Sequence, residues 1–91
     1  MGEIGDKDRI VLEVKQKDGT IRYLHSFMDD YNSPYLTVDP CRATRYLPMD
    51  PKKPERAQML KEAKKWMEQI ESTESAKFVP FPEACDKYNK N

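Results

Sequence analysis

Few side chains in this sequence of 91 residues could carry nucleophilic or metal chemistry. His25 is the only histidine, so a site that needs an imidazole must use it. Zinc requires three or four ligands, usually with two of them close in sequence, and His25, Cys41 and Cys85 provide no such pair. We therefore expect that the protein binds no metal and no cofactor.

Carboxylates offer a second kind of chemistry, because oxygen ligands cluster in the segment 28–34. A calcium site of the EF-hand type would also need a central glycine and a distal glutamate, and the segment has neither. Capping of a turn is the better explanation of these side chains. With no glycine-rich phosphate loop and no nucleophile elbow either, we predict that the protein is not an enzyme. The clustered residues are Asp29, Asp30, Asn32 and Ser33.

The basic residues are better candidates for binding. The chain has 16 acidic and 16 basic residues, which excludes a strongly acidic mimic of nucleic acid. Between Cys41 and Lys65, however, eight basic residues outnumber three acidic ones. Nucleic-acid binding through this basic segment is therefore an alternative function. Its phosphate contacts would come from Arg42, Arg45, Lys52, Lys53, Lys61, Lys64 and Lys65.

Protein binding is the function that the sequence favours. Exposed arginine and aromatic side chains are common at interfaces, and the C-terminal segment carries aromatic residues that a small core does not accommodate. A second copy of the chain is one candidate partner, which would make the protein a homodimer. The predicted partner-binding residues are Arg42, Arg45, Tyr46, Lys61, Lys64, Lys65, Phe78 and Phe81. A third hypothesis is a small-ligand site between sheet and helix, near Tyr23, His25 and Trp66.

The elements that must position these side chains begin with a β-hairpin. Apolar residues alternate along the first predicted strand, 9–16, and the dipeptide Asp18-Gly19 suits a two-residue type I′ turn. This loop places Val14 opposite Tyr23. A three-residue loop would instead pair Val14 with a charged residue and mix polar with apolar side chains on one face, so we predict the first register. The inner face would then contain Ile10, Leu12, Val14, Ile21, Tyr23 and Phe27, and the outer face Val11, Leu24 and Met28.

The rest of the chain predicts two short strands, at 35–38 and 44–47, and one long helix. Asp39 is placed to cap a helical turn that Pro40 begins. Apolar residues recur at helical spacing over 54–70. The sequence therefore predicts an α+β fold in which a small antiparallel β-β-β-β sheet packs against one amphipathic helix. Residues 1–8 would form a flexible N-terminus, 9–71 the domain, and 72–91 an extended C-terminal arm or tail, in which two prolines allow only an edge strand.

One segment carries a resemblance to known proteins. A hairpin, then Tyr35-Leu-Thr-Val-Asp-Pro-Cys-Arg-Ala-Thr-Arg-Tyr46, then an amphipathic helix resembles small accessory proteins encoded by phages and prophages. The resemblance covers residues 9–70, and the proline-rich connector and the C-terminal arm depart from the pattern. It implies a compact α+β protein that acts by binding, for example as a modulator or inhibitor of a host or defence protein. No catalytic residues carry over from it.

The cysteine content and the hydropathy favour a cytoplasmic location. Cys41 and Cys85 lack the spacing of a disulfide scaffold, and the N-terminus has no apolar signal core, so we expect reduced thiols. No apolar run reaches the roughly 20 residues that are needed to cross a bilayer. We therefore expect no membrane association.

Overall fold

Four strands form one antiparallel sheet, which confirms the predicted α+β class. The computed structural model describes residues 5–27 and 33–90. The strands are β1 (Ile10–Gln16), β2 (Ile21–Ser26), β3 (Tyr35–Thr37) and β4 (Thr73–Pro80). The helices are α1 (Pro54–Glu68) and α2 (Phe81–Asn89), and two short 3-10 helices cover Asp6–Asp8 and Pro40–Arg42. The strand order is β3-β2-β1-β4, so that β1 and β2 are central.

The fourth strand of the sheet is β4, and the predicted strand at 44–47 is wrong. In that segment Tyr46 forms an isolated bridge with Ile10, through backbone hydrogen bonds of 3.0 and 2.8 Å, and the Thr44 N–H donates to the Leu24 carbonyl at 3.1 Å. By contrast, β4 pairs along the whole of β1, from Ile10–Pro80 to Gln16–Thr73. It lies at an edge of the sheet, as expected for a segment that contains prolines. The segment predicted as an extended arm therefore contains a paired strand and, after it, the helix α2.

The β1–β2 hairpin has a three-residue loop and not the predicted two-residue loop. Val14 pairs with Arg22, and a three-residue loop is closed by the Gln16 N–H, which donates to the Thr20 carbonyl at 2.8 Å. Gly19 ends this loop with φ of 91°, a conformation that strains residues with a Cβ. The predicted register assumed that only one face of the sheet is buried.

In fact both faces of the sheet are covered. We call them the α1 face and the α2 face, after the helix that packs on each. Successive residues of a strand point to opposite faces, and Val11 and Leu12 are both fully buried in β1. The α1-face core consists of Leu12, Val14, Leu24, Ala63, Met67 and Ala76. The α2-face core consists of Val11, Tyr23, Ala43 and Ala84.

The predicted faces of the hairpin are therefore correct for Leu12 and Val14 of β1 but wrong for β2. Leu24, expected on the outer face, packs in the α1-face core beside Leu12. Tyr23, expected on the same face as Leu12, packs in the α2-face core instead. His25 is exposed near the end of β2, where its ring meets Tyr35 edge to face.

Local signals placed two of the helical segments well. The turn at Pro40–Arg42 forms as predicted, with Asp39 as its cap: the Cys41 N–H donates to Asp39 Oδ1 at 2.9 Å. Helix α1 begins at Pro54, whose missing N–H costs nothing in the first turn, and ends two residues earlier than predicted. Its buried residues are Leu60, Ala63 and Met67.

Candidate partner-binding site

An apolar groove lies where α1 meets the sheet near β4. Its volume is about 370 Å³, and we call it the α1 groove. The connector between Tyr46 and α1 closes one side through Met49, which is 67% exposed. Apolar atoms form nearly all of the lining, so that burial of a partner's apolar side chain here would be favourable. The lining residues are Ile10, Met49, Ala57, Leu60, Lys61, Lys64 and Phe78.

Two lysines give the rim of the α1 groove a positive charge. Lys61 and Lys64 both line it from α1. Lys64 Nζ lies 3.8 Å from Glu68 Oε2, one helical turn further on, which offsets part of its charge. Among the ion pairs of residues 5–27 and 33–90, none involves Lys61. The groove therefore favours an apolar side chain that is flanked by a carboxylate.

The backbone of β4 offers a second kind of contact beside the α1 groove. The Phe81 N–H donates to the Arg9 carbonyl at 2.9 Å. The neighbouring residues Ile10 and Pro80 are therefore an opposed pair that form no hydrogen bonds with each other. Pairs with and without mutual hydrogen bonds alternate along two antiparallel strands, so the N–H and C=O groups of Phe78 and Ala76 also point away from β1. Among the residues that the structure describes, no further strand pairs with β4 on that side. These groups could pair with a strand from another molecule.

The predicted binding residues are divided between the two faces of the sheet. On the α1 face, Tyr46 packs edge to face on Phe78 with 5.6 Å between ring centroids, and Phe78 lines the α1 groove with Lys61 and Lys64. Burial raises the pKa of the Tyr46 hydroxyl above its usual value. Lys65 belongs to a different concavity of about 440 Å³ along α1, together with Glu62, Trp66 and Gln69.

The remaining predicted residues lie on the α2 face. The Arg45 guanidinium lies 4.5 Å from the centre of the Phe81 ring and donates to the Cys41 carbonyl at 2.8 Å. Arg42 is exposed, and its Nε is 3.8 Å from Asp39 Oδ2. The structure therefore does not bring the two arginines together with the α1 lysines into one basic surface.

The residues of the small-ligand hypothesis do not share a cavity either. Tyr23 lies in the α2-face core, whereas Trp66 is 40% exposed on α1, on the other side of the sheet. His25 lines a third concavity, beside Tyr35 and Arg42. In residues 5–27 and 33–90 no group of three or more histidine, cysteine or acidic side chains could hold a metal ion. The predicted oxygen cluster at Asp29, Asp30 and Asn32 lies outside the described residues.

A row of polar side chains crosses the α2 face. Glu13 is 8% exposed and pairs with Tyr23 on one neighbouring strand and Lys77 on the other. Its Oε1 lies 3.9 Å from Lys77 Nζ. Burial, then the charge of Glu13 and a hydrogen bond with it, raise the pKa of the Tyr23 hydroxyl. The row is a structural network that satisfies a buried carboxylate.

Four groove residues were missed by sequence reasoning: Ile10, Met49, Ala57 and Leu60. Ile10 and Leu60 were assigned to the core by their strand and helix spacing; Leu60 is buried, whereas Ile10 is only half-buried at the start of β1. Met49 follows a proline in a connector, a position for which sequence gives no side-chain direction. Ala57 is the only one with a usable signal, since a small residue on the flank of a helix leaves room beside its neighbours.

No family model matches the chain, and no match was found among curated proteins or among solved structures. In the described segments, no helix combines the length and the apolar composition that a membrane span requires. The fold and the groove together thus describe a small α+β protein with an apolar, positively rimmed groove next to an edge strand.

Proposed function

We propose that this protein is a non-catalytic interaction module that binds a protein partner at the α1 groove. The observation that carries the proposal is the groove itself, an apolar surface with Lys61 and Lys64 at its rim. A catalytic site would need a polar constellation in a cleft, and this cavity is lined by carbon. A cytoplasmic location belongs to the same proposal.

The partner that fits this site is an extended acidic segment with one apolar anchor. Its backbone would pair with the outward groups of Ala76 and Phe78 on β4, while the anchor enters the α1 groove and a carboxylate meets Lys61. The resemblance to phage accessory proteins makes a host or defence protein the candidate source of the segment. Lys77, exposed on β4, disfavours indiscriminate strand pairing, including pairing between two copies of the chain centred on this residue.

The test begins with identification of a partner and ends with purified components. The tagged full chain is incubated with nuclease-treated lysate, and a recovered protein is then expressed alone and titrated against wild type and variants. Lys61→Glu/Lys64→Glu reverses the rim charge, and Lys87→Glu/Lys90→Glu makes the same charge change on the α2 side. We expect the first pair to weaken binding at least tenfold, about 1.4 kcal/mol, and the second to leave it unchanged.

A second variant separates the groove from the charge. Ala57→Phe places a ring in the α1 groove without altering any charge, and it should also weaken the binding of a protein partner at least tenfold. Equal effects of the two lysine pairs, together with full binding by Ala57→Phe, would overturn the proposal. Recovery only before nuclease treatment, with affinity that falls steeply with salt, would favour nucleic acid instead. A dimer that Ala57→Phe dissociates would identify a second copy as the occupant.

A further inference from the structure

The two cysteines, distant in sequence, meet in the fold. Cys41 lies in the turn that Asp39 caps, and Cys85 lies in α2. Their sulfur atoms are 3.1 Å apart, about 1 Å more than the roughly 2.0 Å of a disulfide bond. Both are free thiols. Formation of a bond between them therefore requires little movement of the backbone.

The surroundings give the two thiols different roles. Cys41 is exposed, whereas Cys85 is only partly so. Burial, followed by a hydrogen bond with Cys41, raises the pKa of the Cys85 thiol to about 12, and the nearby Asp39 carboxylate acts in the same direction. Arg45, which holds the Cys41 carbonyl, opposes this rise. Cys41 is thus the thiol that reacts first with a reagent from solution, and Cys85 is the thiol that reacts second.

We propose that Cys41 and Cys85 are a reversible thiol–disulfide exchange site whose substrate is a low-molecular-weight disulfide. The Cys41 thiolate attacks one sulfur of the small disulfide, forms a mixed disulfide and releases one small thiolate. Cys85 then gives up its proton to solvent and attacks Cys41 Sγ, and the second small thiolate leaves. Two electrons pass from the protein thiols to the small disulfide, which becomes two thiols.

Oxidation at this site would cross-link α2 to the rest of the domain. The disulfide would join residues 44 positions apart in the chain and would tie α2 to the turn at Pro40–Arg42. In the reduced protein, α2 is held by non-covalent contacts such as the Phe81 N–H bond to the Arg9 carbonyl, and a helix of nine residues is marginal alone. A disulfide that closes a long loop stabilises the fold mainly by restricting the unfolded chain. The redox state would therefore set how firmly the α2 face stays covered.

The test uses the full reduced chain and glutathione disulfide as the oxidant. After equilibration with equal concentrations of glutathione and its disulfide, free thiols are alkylated and intact masses are recorded. We expect the wild type to lose the mass of two hydrogen atoms, to keep no glutathione and to remain free of intermolecular disulfides. Its unfolding midpoint should rise by roughly 10 °C or more, and amide hydrogens of 81–89 should exchange more slowly.

Single-cysteine variants assign the two roles. Cys85→Ser should retain one glutathione on Cys41, because no second thiol is present to displace it. Cys41→Ser should acquire glutathione on Cys85 at least tenfold more slowly than Cys85→Ser acquires it on Cys41. Retained glutathione on the wild type, a disulfide between chains, or unchanged unfolding after oxidation would each overturn the proposal. None of these outcomes depends on the α1 groove, so this inference and the proposed function can fail separately.

Discussion

The two faces of the sheet are covered by different means. On the α1 face, a 15-residue helix buries long apolar side chains, and Met67 and Leu24 are completely inaccessible. On the α2 face, a nine-residue helix contributes the small buried Ala84 and the half-buried Phe81, and the core includes a buried carboxylate and a phenol. The α1 face thus supplies most of the apolar burial, while polar contacts and packing of smaller groups hold the α2 face.

This difference indicates which face of the sheet suits each of the two proposed sites. A groove for a partner needs rigid walls, and α1 has them because its buried side is anchored by large residues. A covalent switch needs an element whose attachment is weak enough to be altered, and α2 meets that requirement. The strongly packed side therefore carries the proposed binding site, and the weakly packed side carries the thiol pair.

The largest expected effect comes from removal of the principal anchor of each helix. Met67→Ala should lower the free energy of unfolding by about 2–5 kcal/mol, because the side chain is fully buried and leaves a cavity. Phe81→Ala removes a larger but only half-buried ring, so we expect at most half of that loss. Urea unfolding of both variants measures the difference. An equal or greater loss for Phe81→Ala would show that α2 is as much a part of the core as α1.

A smaller difference in stability should distinguish a hydroxyl in the polar network of the α2 face from a hydroxyl that is simply buried. Tyr23→Phe removes a hydroxyl that interacts with Glu13 and should cost about 1 kcal/mol, since a buried carboxylate loses a partner. Tyr46→Phe on the α1 face, where burial alone raises the pKa, should stay within about 0.5 kcal/mol of wild type. Equal costs for the two substitutions in urea unfolding would contradict the assignment of a polar network to the α2 face.

The last expected effect is confined to alkaline pH. The pKa of Cys85 rises from 9.0 to about 12 on folding, so between these values the unfolded chain loses the proton first. Ionisation then favours unfolding, and stability should fall as the pH rises through this interval. Cys85→Ser should make the fall shallower in urea titrations under reducing conditions. The residual slope should reflect the Tyr23 and Tyr46 hydroxyls, whose pKa values are also raised. An identical slope for Cys85→Ser and wild type would contradict this.

Much of the fold could be read from local sequence signals. The proline at the start of α1, the Asp39 cap and the helical spacing of Leu60, Ala63 and Met67 each act within a few residues. The register of the hairpin could not be read in the same way. A two-residue and a three-residue loop both suit Asp18-Gly19, and the choice depends on whether the second face is covered, which is a property of α2.

The candidate site was accessible to sequence reasoning only in part. Lys61, Lys64 and Phe78 were named in advance, and the structure brings them to one groove. Arg42, Arg45 and Phe81 were grouped with them, although they lie on the α2 face. Residues near in sequence to Tyr46 separate here because the chain crosses from one face of the sheet to the other. The contact of Cys41 with Cys85 depends on the same long-range packing and has no sequence signature.

The pairing of β1 with β4 also governs the order in which the chain can fold. Hairpin contacts between β1 and β2 are local, whereas Ile10 pairs with Pro80 from the other end of the domain. High contact order of this kind slows folding, because the entropy of closing a long loop is lost before the contact forms. During synthesis, β1 would remain an uncovered edge with apolar residues on both sides until β4 emerges from the ribosome. Nascent chains of this protein are therefore exposed to aggregation and to chaperone capture at β1 until β4 is added.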